Sequence, residues 1–122
     1  PHTMKFPEDF KFGTSTSAYQ IETSFEHDWK GVTSMDGHIF DQTTAHEKRW
    51  EEDVNLIATL APQYRMSLMW SRLQRAPFAD FDADAKQHYH QVLDRLRTKN
   101  VEIMMVLHHF TNPVWFSQLG GW

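Results

Sequence analysis

Apolar residues recur along this chain in two rhythms. In TAHEKRWEEDVNLIATLA, Trp50, Val54, Ile57 and Leu60–Ala61 fall three and four residues apart, on one face of a helix. Thr44 with Glu47 three residues on has the form of a capping box, and Pro62 stops the run, which predicts a helix near 45–61. DADAKQHYHQVLDRLRTKN repeats the pattern through Tyr89, Val92, Leu93 and Leu96. Asp82 or Asp84 is available as its N-cap and Asn100 as its C-cap, so a second helix is expected near 83–99. YRMSLMWSRL and VEIMMVLHHF are short apolar runs with few charges. They predict strands near 64–71 and 101–109, buried on both faces. FKFGTSTSAYQIE alternates small and apolar residues, and Gly13 marks a close backbone approach, so a strand is expected near 10–20. Thr23 to Thr44 is polar and turn-rich, with Gly31 and Gly37. A loop of that length in a compact domain more often carries function than not.

The predicted order is β-α-β-α-β. Strands separated by amphipathic helices imply a parallel sheet with right-handed crossovers, in either a doubly wound sheet or a (β/α)8 barrel. No GxGxxG or GxxxxGK[ST] follows the first strand, which counts against a nucleotide-binding sheet.

Composition narrows the partners. The 122 residues suffice for one domain with a modest core, and 40% hydrophobic with 23% charged residues is ordinary globular balance. A net charge of −4 without a basic run excludes the electrostatic footprint of a nucleic-acid binder. The chain has no cysteine, hence no disulfide and no thiolate metal site. Nothing approaches a membrane span or a secretory leader, so a soluble cytoplasmic protein is expected, starting naturally at Met4 with Pro1 to Thr3 as an expression remnant. Aromatic residues reach 14%, which adds either core area or ligand-pocket walls.

In parallel α/β folds the site lies at the carboxyl ends of the strands. The expected strand ends carry Tyr19, Gln20 and Glu22, then Trp70, Ser71 and Arg72, then His108 to Asn112. Amide, imidazole and aromatic groups with few charges suit a neutral polyol, whose hydroxyls take hydrogen bonds and whose C–H face stacks on rings. Gln20 reads equally as a core amide. His108 and His109 alternate across a strand, so only one faces a barrel interior, and one ligand does not make a metal site. Arg65, in an apolar strand, requires a carboxylate partner that the nearby sequence does not offer. His88 and His90 read as part of a solvated helix face.

Three stretches resemble one family. FPEDFKFGTSTSAYQIE is similar to the family 1 glycoside hydrolase opening FPxxFxWGxATAAYQIEG. EDVNLIATLAPQYRMSLMWSRL is similar to its EDVxLMxELGxxxYRFSISWxRI. VEIMMVLHHFTNPVWF…GGW resembles IEPxVTLYHWDLPxxL…GGW. The three occur in the family's order and cover nearly the whole chain. The resemblance implies an N-terminal β-α-β-α-β portion, about three of eight units, of a (β/α)8 TIM barrel. It also implies a β-glucosidase, β-galactosidase or 6-phospho-β-glycosidase activity without a cofactor or metal, on a β-linked glycoside.

On the same resemblance, Gln20 and His109 hydrogen-bond hydroxyls of the non-reducing sugar, and Phe110 stands where the family has Trp. Arg65 matches the arginine that supports the nucleophilic carboxylate. Departures are Phe12–Gly13 for WG, Thr23 for the glycine of QIEG, Thr111–Asn112–Pro113 for DLP, and a one-residue deletion near Leu60–Gln63. The family's two catalytic carboxylates belong to NEP and ENG motifs that do not occur here, and Glu22 is the one carboxylate expected at a strand's C-terminal end. The chain by itself is therefore expected to supply sugar contacts but no catalytic pair. Its partners would be the remainder of the barrel or other copies of the chain, because three strands leave Tyr64 to Trp70 and Val101 to His108 with open edges. The alternative expectation is a non-catalytic, self-associating fragment that binds sugar weakly.

Overall fold

The computed structural model of the chain describes residues 3–22, 26–40 and 42–122. Pro1 and His2, ahead of Met4, and Thr23, in the place of the motif glycine, lie outside the described residues. The elements are β1 (Gly13–Ser15), α1 (Ala18–Ile21), α2 (His46–Leu60), β2 (Gln63–Ser67), α3 (Trp70–Leu73), α4 (Ala83–Thr98), β3 (Glu102–Val106) and α5 (Val114–Gln118). The strands form one parallel sheet in the order β1-β2-β3. β2 is therefore the central strand with no open edge, contrary to expectation, and the free edges belong to β1 and β3.

The helices cover one face of this sheet. Tyr64 and Met66 of β2 are buried with Val54 and Ile57 of α2 and with Ala85, Tyr89, Val92 and Leu96 of α4, and Ile103 and Met105 of β3 pack against the same cluster. The opposite face is open. Ser15, Arg65 and Met104 stand in register across it and all three are exposed. The expectation that both strands are buried on both faces thus fails at Arg65 of β2 and at Glu102 and Met104 of β3. Side chains alternate across a pleated strand, and only one side of this sheet has helices to meet them.

The first strand is also shorter than its pattern. Thr16 N–H still bonds the Arg65 carbonyl, but the Ala18 N–H turns to the Ser67 hydroxyl at 2.7 Å. The Ser17 carbonyl then accepts from Gln20 and Ile21, so residues 18–21 coil into α1. β2 and β3 likewise stop at Ser67 and Val106, and Trp70 to Leu73 form a helical turn. Gly13 has the role its position suggested: a Cβ there would stand 3.2 Å from Gln63 Cβ and from the Gln63 carbonyl oxygen.

Helix ends follow local chemistry. Asp82 accepts from the Ala85 N–H and caps α4. At its other end Asn100 adopts a left-handed φ of 59°. The N–H of Asn100 bonds the Arg97 carbonyl and that of Val101 bonds the Leu96 carbonyl, a Schellman closure with Leu96 and Val101 both buried. The expected capping box at Thr44 does not form. α2 starts one residue later, behind a left-handed Ala45, and Thr43 Oγ1 accepts the Ala45 N–H while donating to the Ile21 carbonyl. Ala61 is extended ahead of Pro62, which ends α2.

Leu96 is fully buried between the helices and the sheet. Leu96→Ala should cost about 2–5 kcal/mol of unfolding free energy, read as a lower midpoint in urea with an unchanged slope.

Candidate functional site

Two aromatic clusters gather beyond the C-terminal ends of the strands. In the first, the Tyr19 ring of α1 touches His27, Trp29, Phe40 and Phe110 at centroid distances of 5.2–6.0 Å. Trp29 and Phe110 lie 5.7 Å apart, and the His109 imidazole stacks on Phe110 at 4.5 Å and 26°. In the second, Trp70 meets Trp115, Phe116 and Trp122, with the His108 ring edge-on to Trp122 at 5.1 Å. The turn through Gly120 and Gly121, both at positive φ, brings Trp122 back onto this group.

These clusters separate the two histidines, for a reason other than strand alternation. Both lie past the end of β3. His108 is exposed in an apolar groove lined by Leu68, Trp70, Leu73, Phe81, Leu107 and Trp122. His109 is half-buried, and its Nδ1 is enclosed with no hydrogen-bond partner among the described residues. Burial, then the charges of Arg65 and His108, lower the His109 pKa, so the ring is neutral at pH 7 and offers one donor and one acceptor. Phe110 holds a left-handed φ of 68°, which for an aromatic residue costs about 1–3 kcal/mol and persists only where surroundings enforce it.

The other expected site residues fall nearby. Gln20 is exposed on α1, next to Tyr19, and its Oε1 accepts from the Ser17 hydroxyl at 2.6 Å. Arg65 is exposed on the open face of the sheet, within 3.5 Å of Ser15 Oγ, so it is not the buried cation the sequence suggested. Among the described residues no group of three His, Asp or Glu side chains converges as a metal site. No described helix is long and apolar enough to cross a membrane.

Glu22 is removed as a reactive carboxylate. It is 4% exposed, accepts the Tyr89 hydroxyl at 2.9 Å, and pairs with Arg72 Nη1 at 3.2 Å. Tyr89 in turn accepts the Met69 N–H at 2.9 Å. Burial raises the Glu22 pKa more than Arg72 and Tyr89 lower it. Asp28, which the sequence reading passed over, also reaches the C-terminal end of the sheet, bonded to Asn112 after β3. Its only signal in sequence was its place in the long loop.

His88 departs from its expected solvated face. It is half-buried, edge-on to Trp50 at 6.2 Å, and desolvation brings its pKa down to about 4. His90, by contrast, is exposed.

With this geometry in view the family can be stated. The chain belongs to glycosyl hydrolase family 1, whose model matches residues 2–122. It is similar to a β-glucosidase from Agrobacterium sp. (strain ATCC 21400), at 32% identity over the whole of this chain and 30% of that protein. Among solved structures it is similar to a β-glycosidase from Pyrococcus horikoshii, with 36% identity and a TM-score of 0.81, covering 96% of this chain and 28% of that one. A β-glucosidase from Exiguobacterium marinum superposes with a TM-score of 0.87 at 30% identity, covering 98% and 29%. The chain thus spans under a third of these relatives, and its sheet is about three of the eight units of a (β/α)8 barrel.

Two desolvated groups, one half-buried and one buried, give stability opposite pH slopes. His88, with a folded pKa near 4 against an ordinary 6.5, binds fewer protons folded than unfolded, so stability rises with pH across that window. Glu22, raised above 4.5, binds more protons folded, so stability falls as pH climbs from 4.5 through its folded value. In urea titrations at stepped pH, His88→Gln should remove the rising component and Glu22→Gln the falling one.

Proposed function

We propose that this chain forms one wall of the sugar pocket of a retaining β-glycosidase acting on β-glucosides or β-galactosides. The observation that carries this reading is the His109–Phe110 stack at the carboxyl ends of the strands, in a chain of this family. A neutral imidazole and the exposed Gln20 amide would bond sugar hydroxyls, and Phe110 would face the C–H side of the ring. The reaction would be a double displacement through a covalent glycosyl intermediate, which requires two carboxyls about 5–5.5 Å apart. In this reading another part of the barrel supplies that pair, not this chain. Its Glu22 is consumed by Arg72 and Tyr89, and Asp28 by Asn112 and Ser117. Arg65, exposed on the open face, would support the nucleophile contributed by another part of the barrel.

One observation favours a second reading, self-association. Met104 on the open sheet face and Leu107 and Trp122 past the end of β3 are 65–82% exposed, β3 has a free edge, and uncovered apolar area together with an open strand edge promotes association. Light scattering distinguishes a monomer from an assembly of copies.

The 122-residue chain alone should not hydrolyse a chromogenic β-glucoside, and mixing it with the missing five-eighths of a family barrel should restore turnover. Full turnover by the chain alone would overturn this assignment. Glucose binding, followed by NMR titration, should weaken in His109→Ala and Gln20→Ala; equal binding in both variants would remove the pocket.

A further inference from the structure

The loop around residues 26–30 is joined to the segment after β3 through one carboxylate. Asp28 Oδ1 accepts the Asn112 backbone N–H at 2.8 Å and Oδ2 accepts its side-chain amide at 2.9 Å. The Asp28 N–H returns a bond to the Asn112 carbonyl at 3.0 Å. Ser117 of α5 donates to the same Oδ2 at 2.9 Å, and Trp122 Nε1 donates to Asn112 Oδ1 at 3.0 Å. Burial pushes the Asp28 carboxyl up, and the Asn112 and Ser117 bonds together outweigh it, so the group stays ionised well below neutral pH.

Both ends of this clamp adjoin the aromatic wall. Trp29 follows Asp28 directly and its ring lies 5.7 Å from Phe110. Phe110 precedes Asn112 by two residues and holds its left-handed backbone between His109 and the buried Thr111, whose N–H bonds the His109 carbonyl at 3.0 Å. The sheet does not impose this conformation, because the ladder from β2 ends where the Leu68 N–H meets the Val106 carbonyl. Beyond that point, among the described residues, the hydrogen bonds that join residues 107–112 to the facing loop run through Asn112 and Asp28. Asn112 also stands where the resembled DLP motif has Leu. A leucine would keep the backbone pair and lose both side-chain bonds.

We propose that Asp28 and Asn112 are positioning residues for the His109–Phe110 wall. The clamp between them sets the backbone in which Phe110 lies flat on the imidazole. The functional consequence rests on the sugar-pocket reading above, but the geometry is open to test without any ligand.

The test compares the full chain with Asp28→Asn, Asn112→Asp and the swap that carries both. Each single change sets amide against amide or carboxylate against carboxylate. The swap restores one donor facing one acceptor, leaves the backbone pair intact and still offers Trp122 an oxygen, while the exposed Ser117 hydroxyl, which donated to Asp28 Oδ2, turns to accept from the new amide. The readout is the ring-current displacement of the His109 imidazole protons by Phe110, measured by NMR at a pH where the ring is neutral. The single variants should lose the displacement and the swap should recover it. If a single variant does not fold, Asn112→Leu takes its place and should show the same loss. Imidazole protons unmoved in the single variants, or a folded swap that fails to bring them back, would overturn the proposal. A glucose titration of the same samples separates the two claims. Wild-type chain with a stacked His109 and no glucose response sinks the pocket reading and leaves the clamp standing.

Discussion

The burial of one carboxylate organises this molecule. Glu22 sits at the end of α1, out of water, with Arg72 of α3 and Tyr89 of α4 as its partners. An ionisable group in that position is costly unless it is paired and hydrogen-bonded, and removing one partner would leave the other's polar atom stranded. The requirement draws together three segments that are distant in sequence. α1 carries Tyr19 and Gln20, α3 carries Trp70, and α4 supplies most of the helical core. Because Tyr89 also accepts the Met69 N–H, the same hydroxyl fixes the turn by which β2 leaves the sheet. The knot therefore locates the residues of both aromatic clusters relative to the strands beneath them.

Above the knot, two kinds of contact share the work of shaping the C-terminal end. Ring packing is broad and tolerant of small displacements, since aromatic pairs keep most of their attraction over a range of centroid distances. Hydrogen bonds at Asp28 and Asn112 are directional and fix register. The combination explains how Phe110 holds a backbone conformation that its own side chain disfavours. It also explains why His109 and His108, adjacent in sequence, enter different surroundings: one joins the Tyr19 group, the other the Trp122 group.

The open face of the sheet has the opposite character. Ser15, Arg65 and Met104 stand across it without a covering layer, and β3 has a free edge. The solved relatives described above are more than three times this length, and in a complete (β/α)8 barrel the sheet face opposite the helices is the barrel interior. The helix-covered face is packed where α2 and α4 cross β2, with Val54, Val92 and Leu96 fully enclosed, while Ile103 and Met105 of β3 are only partly covered. One side of this chain is thus a helix-packed core and the other is an uncovered sheet face.

How much of this was legible in the sequence depends on the range of the interaction involved. The two long helices were readable because an apolar stripe at helical spacing, an Asp N-cap and an Asn at the left-handed position all act within a few residues. Gly13 was readable because a parallel neighbour leaves no room for a Cβ. Gln20, Arg65, His109 and Phe110 took their individual expected roles only from their match to the family motifs, not from any local physical pattern. Strand ends were not readable. β1 stops where the Ser67 hydroxyl captures the Ala18 N–H, and that bond spans 49 residues. The exposure of Arg65 depends on which elements cover the sheet, a matter of topology and not of local pattern. His88 looked like any polar helix residue until Trp50 packed against it. The fate of Glu22 and Asp28 was decided by partners 50 to 89 positions away, and hydrogen bonds of that reach exist only once the chain has folded. Local periodicity and caps determined the elements; long-range polar contacts, which leave no periodic trace in the sequence, decided where each candidate side chain stands.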